Sequence, residues 1–328
     1  MIDIPLSVLE LAMTETGGDA AAAFAATTVM ARRAEELGFR RAWIAEHHGS
    51  AAIASASPPV LTAHLAAATT RIRVGSGGVL APNHAPLAVA EQFATLAALH
   101  PDRIDLGIGR GPGTFDQNIV RALRRGADAA TPEDYRRDVG ELLGHLSGAS
   151  GLRLLPGTAP LPRPWLLASS TAGAELAAEL GLPVAFAHHI RPGNTVEAAE
   201  RYRSAFRPSR WSSAPYVIVA VETLCADTDS EAVRLARPGD VLKAYLLSGL
   251  GDTGLRTPEA AAEHEFTPEI AERIAEFRAT QAQGSPGTVR QRLTELSTAT
   301  GADELMLLTP IYDPSARVRS LELIVKTS

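Results

Sequence analysis

Residues 72–110 read IRVGSGGVLAPNHAPLAVAEQFATLAALHPDRIDLGIGR, and the alternation within them decides the fold. Residues 72–79 are a short β-rich run, after which Pro82 and Pro86 forbid a helix directly behind it. An amphipathic run near 87–99 follows, and a second β-rich run fills 103–110. Strand, helix, strand in this span is a parallel crossover unit, because parallel neighbours need a connection of a dozen or more residues. The rhythm extends both ways. Upstream lie a strand at 4–11, a helix at 20–37 stopped by Gly38, a strand at 40–46, and a helix at 57–70 with Ser57 as N-cap and Pro58 in its first turn. Downstream, Thr131-Pro132-Glu133-Asp134 opens a helix at 132–147 with acidic residues at its positive end. Strand 165–169, helix 172–181, strand 183–188, helix 195–205, a long strand at 216–226, strand 304–309 and helix 315–326 complete the series. Eight strands, each followed by helical sequence, predict a (β/α)8 TIM barrel, read as a single domain over 1–328. Residues 228–285 exceed what one connection needs. They read as an insertion or lid beside the functional face before the last βα unit, with helical pieces at 230–237, 258–263 and 268–281 and a glycine-rich turn at 249–254.

A doubly wound dinucleotide fold is the competing architecture, since Val74-Gly75-Ser76-Gly77-Gly78 and Gly107-Ile108-Gly109-Arg110-Gly111-Pro112-Gly113 look like phosphate loops. Neither opens directly into a helix, and Pro112 stands where the third glycine belongs. Composition narrows the rest. Two domains would fit 328 residues, but barrels routinely run this long as one. A formal charge of -6 without a basic run argues against nucleic acid or an anionic membrane surface as the main partner. Lys243 and Lys326 are the only lysines, so the positive charge is almost all arginine. The single Cys225 excludes an intrachain disulfide framework and a cysteine-cluster zinc site. The first residues, MIDIPLSVLELAM, have no positive n-region, so no signal peptide is expected. No run reaches the roughly 20 apolar residues that span a bilayer. A cytoplasmic enzyme is the expectation.

Barrel sites form at the C-terminal ends of strands. Those ends carry Glu46-His47-His48, Ser76-Gly77-Gly78, Gly109-Arg110-Gly111, Ser169-Ser170 and His188-His189. Any one of them alone could be an ordinary capped strand end; five together point to a site. The two His-His pairs suggest metal, but adjacent strand residues face opposite ways, so each pair offers one inward imidazole and no metal is expected. By alternation His47 faces inward, while His48 faces out and is expected to bond a backbone carbonyl. Glycines inside a strand mark either close approach by a flat ligand or local strain. Ser169-Ser170-Thr171-Ala172-Gly173 turns a strand into a helix, which suits a phosphate, although it also fits a plain N-cap. Ser285-Pro286-Gly287-Thr288 is a second, weaker phosphate candidate. The tryptophans are scattered, and Trp43 reads as core.

The runs Arg41–Gly49 (RAWIAEHHG), 76–96, 99–114, 166–189 and 301–313 resemble, in order, motifs of the bacterial luciferase-like, flavin-dependent monooxygenases. The likeness covers nearly the whole chain and is weakest over 200–285. It is closest to the luciferase-like oxidoreductases rather than the light emitters, whose reactive cysteine is replaced here by Gly109. The resemblance implies a (β/α)8 barrel binding FMN, reduced by a separate flavin reductase, that reacts with O2 to a C4a-(hydro)peroxide and oxygenates a small organic substrate. Carried over by position, it implies Glu46 near the flavin ring, His47 as catalytic histidine and Arg110 beside the flavin. It also implies a cis Gly77–Gly78 peptide next to Ser76 under the ring, and Ser169, Ser170 and Gly173 at the phosphate. Tyr135 or Arg136 stands where the family has a phosphate-contacting arginine. A homodimer through helices 57–70 and 87–99 is expected, with Ala63, Ala66, Ala67, Ala94, Ala97 and Ala98 at the contact. The alternatives are a deazaflavin (F420)-dependent oxidoreductase on the same fold, or a non-catalytic flavin-binding protein or partner subunit.

Overall fold

A computed structural model describes residues 3–157, 160–251 and 253–326; Asp252, inside the expected 249–254 turn, lies outside them. Strands β1 (Leu6–Glu10), β2 (Arg41–Ile44), β3 (Arg73–Leu80) and β4 (Ile104–Gly109) are linked by helices α1 (Ala20–Glu36), α2 (Pro58–Ala68) and α3 (Pro86–Leu99). After β4 come α4 (Gln117–Leu123) and α5 (Pro132–Ser147), then β5 (Arg163–Ala168), α6 (Thr171–Leu180), β6 (Val184–Ala187), α7 (Thr195–Ala205) and β7 (Val217–Cys225). The chain ends with α8 (Asp229–Leu247), α9 (Pro258–Ala262), α10 (Pro268–Ala279), β8 (Ala282–Gly284), α11 (Pro286–Thr300), β9 (Glu304–Leu308) and α12 (Pro314–Val325).

Strands β1 to β7 pair in parallel with their sequence neighbours, β7 pairs β9, and β9 pairs β1. That ring closes the expected eight-stranded barrel. Strand β8 is a three-residue addition along the C-terminal end of β7, at Thr223–Cys225. Outward-facing Val8, Ala42, Val74, Leu106 and Val184 pack under the helices, while Leu9, Trp43, Trp165, Ile218 and Met306 fill the lumen. Trp43 is therefore core, as alternation predicts.

Four stretches differ from the sequence reading, strand β8 and helix α11 being two that it did not contain. The helix expected at 230–237 continues as α8 through Pro238 and Gly239, both buried, to Leu247. A mid-helix proline costs one hydrogen bond and a clash; here burial of Leu235, Ala236, Val241 and Ala244 outweighs it. Helix α4 was not expected, although Asp116 caps it by accepting from the Asn118 amide at 2.8 Å. The alanine faces also divide. Ala66, Ala94 and Ala97 are buried inside this chain, and Ala67 and Ala98 are exposed beside Val60 and Leu99, which are 67% and 66% exposed.

Candidate active site

The C-terminal ends of the strands surround a cavity of about 640 Å³, within the usual range for small-molecule and cofactor sites. Its wall brings together Glu46, His47, Gly77, Gly78, Arg110, Tyr135, Ser169, Ser170 and Gly173. Ser76 is the exception: fully buried, it donates to the Gly107 carbonyl at 2.8 Å and does not reach the cavity.

Gly77 and Gly78 give the cavity a side-chain-free wall, and the peptide between them is cis. The glycines are also required from behind. A Cβ on Gly77 would sit 2.6 Å from Leu9 Cδ1, and one on Gly78 would sit 2.7 Å from the Gly107 carbonyl oxygen. Barrel packing alone therefore demands glycine here, and the flat wall follows.

At the end of β2 the inward alternation Arg41, Trp43, Ala45 continues to His47. Its Nδ1 is buried without a partner, and burial, helped by the neighbouring imidazoles His189 and His48, lowers its pKa to about 4 against the pull of Glu46. It is neutral at pH 7 rather than poised to titrate there. Glu46 is buried, and burial alone would raise its pKa. Hydrogen bonds outweigh that: His48 Nε2 and His84 Nε2 each lie 2.9 Å from Oε1, and the Leu80 amide donates to Oε2 at 2.9 Å, so the carboxyl is held at about 2. His48 thus faces away from the cavity as expected, but its partner is this carboxylate and not a backbone carbonyl. His84, which sequence reading passed over, sits in the turn after β3 and completes the same cluster; its strand-end position was the available signal.

Ser170 caps α6 by accepting from the Gly173 amide at 3.3 Å. Arg136, on α5, packs against α6 but donates to Glu179 in its last turn, at 2.8 Å. The loop after β6 lies against it as well, with Asn194 Nδ2 donating to the Ser169 carbonyl at 3.2 Å. Arg136 and Arg191 both reach the cavity, Arg191 from the loop after β6 that bonds Ser169. The Tyr135 hydroxyl donates to the Ile108 carbonyl at 3.2 Å, and burial raises its pKa. The second phosphate candidate fails. The Asp229 carboxylate accepts from the Ser285 amide, placing a negative charge where an anion would have to bind.

No described residue of 228–285 lines the cavity. That segment instead docks on the loop after β1, where the Thr16 amide donates to the Leu255 carbonyl at 2.8 Å and the Leu255 amide to the Thr14 carbonyl at 2.9 Å. The outer walls come from the loops after β4 and β6, through Phe115 and Ile190. Among the described residues, no three His, Cys, Asp or Glu side chains are grouped to hold a metal, and no helix is long and apolar enough to cross a membrane.

Residues 6–304 match the model of the luciferase-like monooxygenase family. A luciferase-like monooxygenase of Escherichia coli (strain K12) is 39% identical over 324 residues, covering 98% of this chain and 96% of that one. The N-acetyl-S-alkylcysteine monooxygenase of Bacillus subtilis (strain 168) is 32% identical, covering 98% and 97%. The crystal structure of apo-MsnO8 superposes with a TM-score of 0.87 at 38% identity, covering 98% and 97%. With the family model spanning the barrel and relatives aligned almost end to end, the chain belongs to the luciferase-like monooxygenase family.

Proposed function

We propose that this monooxygenase uses reduced FMN, supplied in the cytoplasm by a separate flavin reductase, and O2 to oxygenate a small organic substrate. The observation that carries the reading is a single cavity joining a glycine wall, the N-terminus of α6 and a neutral imidazole. The residues present fit the cofactor. Ser169, Ser170 and the first amides of α6 would hold the phosphate, since a helix N-terminus attracts anions, and Arg191 adds positive charge. Gly77 and Gly78 would lie against the isoalloxazine, with Arg110 and Tyr135 at its edge. When bound, reduced FMN supplies the electrons and, at C4a, the carbon on which O2 is activated. His47, neutral at pH 7, would hold or move a proton at Nε2 beside the reacting atoms, and Glu46 would keep the loop in place through His48 and His84. A homodimer is part of this reading, now through Val60, Ala67, Ala98 and Leu99 rather than through the buried alanines. A monomer by light scattering at micromolar concentration contradicts it.

FMN binding followed by fluorescence quenching tests the cofactor assignment. Ser169→Asp together with Ser170→Asp should weaken it at least tenfold, because like charges about 4 Å apart repel by about 1–4 kcal/mol between bulk-water and protein-surface screening. Unchanged affinity removes the phosphate site. Oxygen uptake with a flavin reductase, across aldehydes, ketones, polyketide-like compounds and an N-acetyl-S-alkylcysteine, tests the reaction. Turnover with F420 in place of FMN, without O2 consumption, would replace this reading by the deazaflavin one.

A further inference from the structure

Strand β6 delivers a second imidazole to the cavity. His189 lines the wall with His47, and among the described residues its ring makes one hydrogen bond, from Nδ1 to the Ala220 carbonyl at 3.1 Å. A carbonyl only accepts, so Nδ1 carries the proton and Nε2 is left as a bare lone pair. Its neighbour His188 is occupied elsewhere, with Nδ1 2.9 Å from the Thr195 hydroxyl. The carboxylates nearby are also occupied. Glu46 is saturated by His48, His84 and the Leu80 amide, and Glu222 on β7 accepts from Lys243 Nζ at 2.7 Å. The same cavity also has apolar walls, with Phe186, Ile190, Met306 and Phe115. Arg110 and Arg191 reach the same space, and among the described residues neither has a carboxylate at ion-pair distance.

We propose that His189 is the substrate's proton acceptor and that the substrate class is an apolar molecule carrying an acidic O–H, a phenol or an enol. This rests on the oxygenase reading above. In the step, the substrate O–H bond breaks, its electron pair stays on oxygen, and the proton forms N–H at His189 Nε2. The resulting oxyanion stays beside the newly formed His189 imidazolium, and the electron-rich ring or enol carbon is the nucleophile that oxygen transfer requires. Burial and the Lys243 ammonium, opposed by the Ala220 hydrogen bond, lower the His189 pKa, so the ring is unprotonated and ready to accept at pH 7. His47, His188 and Lys243 are the other ionisable groups that act on it.

The test uses the FMN-free protein, so it does not depend on the cofactor assignment. In histidine-labelled protein, nitrogen NMR should show His189 protonated at Nδ1 and bare at Nε2. Titration with 2-naphthol should shift the Nε2 resonance, and 2-methoxynaphthalene, which has no proton to give, should bind at least tenfold more weakly. His189→Asn places its amide nitrogen where Nδ1 bonds Ala220 but offers no acceptor at the Nε2 position. It should keep the wild-type melting temperature and lose the preference for naphthol over its ether. Protonation at Nε2, absence of naphthol binding, equal binding of the two probes, or a preference that survives in His189→Asn each overturns the proposal. Should that variant fold poorly, the wild-type tautomer and the paired titrations still decide. Failure of FMN to bind the wild-type protein would instead overturn the oxygenase reading alone.

Discussion

At the N-terminal end of the barrel, Arg41, Asp105 and Glu304 are all fully buried, and Arg41 bonds Asp105 and Glu304 at 2.7 Å each. Arg73 and Trp43 add bonds to Asp105, Ser7 and Tyr216 add bonds to Glu304, and the Arg41 guanidinium stacks 4.5 Å from the Trp165 ring. At the C-terminal end, His47, six residues beyond Arg41 and past the end of the same strand, has a buried nitrogen without a partner, and His189, after β6, has a bare one facing the cavity. One set of strands therefore ends in saturated charge on one side and in unsatisfied polar atoms on the other. A saturated network specifies a packed core; unsatisfied atoms are available to a ligand. Stability should reside at the first end and chemistry at the second, as expected for barrels whose active sites lie at the C-terminal face.

The largest effect should come from breaking the saturated end. Arg41→Ala leaves Asp105 and Glu304 buried without their shared cation, a change that typically costs about 3–5 kcal/mol. Since whole domains are stable by only about 5–15 kcal/mol, the urea midpoint should fall sharply. A loss below about 1 kcal/mol would mean that Arg73, Tyr216 and Arg40 re-pair the two carboxylates, and the contrast between the ends would weaken.

His47→Ala at the other end should give the opposite pattern. Product formation should fall about 10²–10⁴-fold, the usual span for a positioned acid–base group, while FMN affinity stays within about twofold and the urea midpoint does not drop. His48→Ala should do the reverse, removing a bond to the buried Glu46 carboxylate and costing about 1–3 kcal/mol of stability. Normal turnover in His47→Ala with a dead His48→Ala would exchange the roles of the two imidazoles.

Much of this contrast was legible in the sequence, and unevenly so. Strand alternation placed Trp43 and His47 inside and His48 outside, because the period of two persists past the last hydrogen-bonded residue of β2. The strand ends marked the site because the barrel gathers them whatever their sequence separation. What alternation cannot provide is the partner of each polar atom. The bond from His48 to Glu46, the capture of Glu46 by His84, and the bond from Ser76 to the Gly107 carbonyl depend on how different strands and loops meet. His189 was visible as a strand-end residue, but its value lies in the Ala220 carbonyl, 31 positions away. Length alone marked 228–285 as an insertion beside the functional face; the Thr14–Leu255 and Thr16–Leu255 bonds that tie it to the loop after β1 depend on where distant loops meet.

The smallest effect is a pH dependence that separates the ends without touching turnover. In the folded chain, burial holds His47 at about 4, against about 6.5 for an unfolded histidine. Between those values the unfolded state binds a proton that the folded state refuses, so stability must fall as pH falls through that window. The full difference corresponds to about 3 kcal/mol at 1.36 kcal/mol per unit, and about half of that should survive, because the ring is only partly buried. Glu46 adds its own loss at lower pH: held at about 2 when folded, it contributes stability that disappears from its unfolded value near 4.3 downward. Urea titrations at pH 7, 6, 5 and 4.5 read the first window before the second opens. The wild type should lose about 1–2 kcal/mol across it, and His47→Gln, which cannot take up a proton, should lose measurably less. Equal slopes in the two proteins would place the His47 imidazole in water rather than in the cavity wall, and the open end of the barrel would then have one reactive histidine fewer.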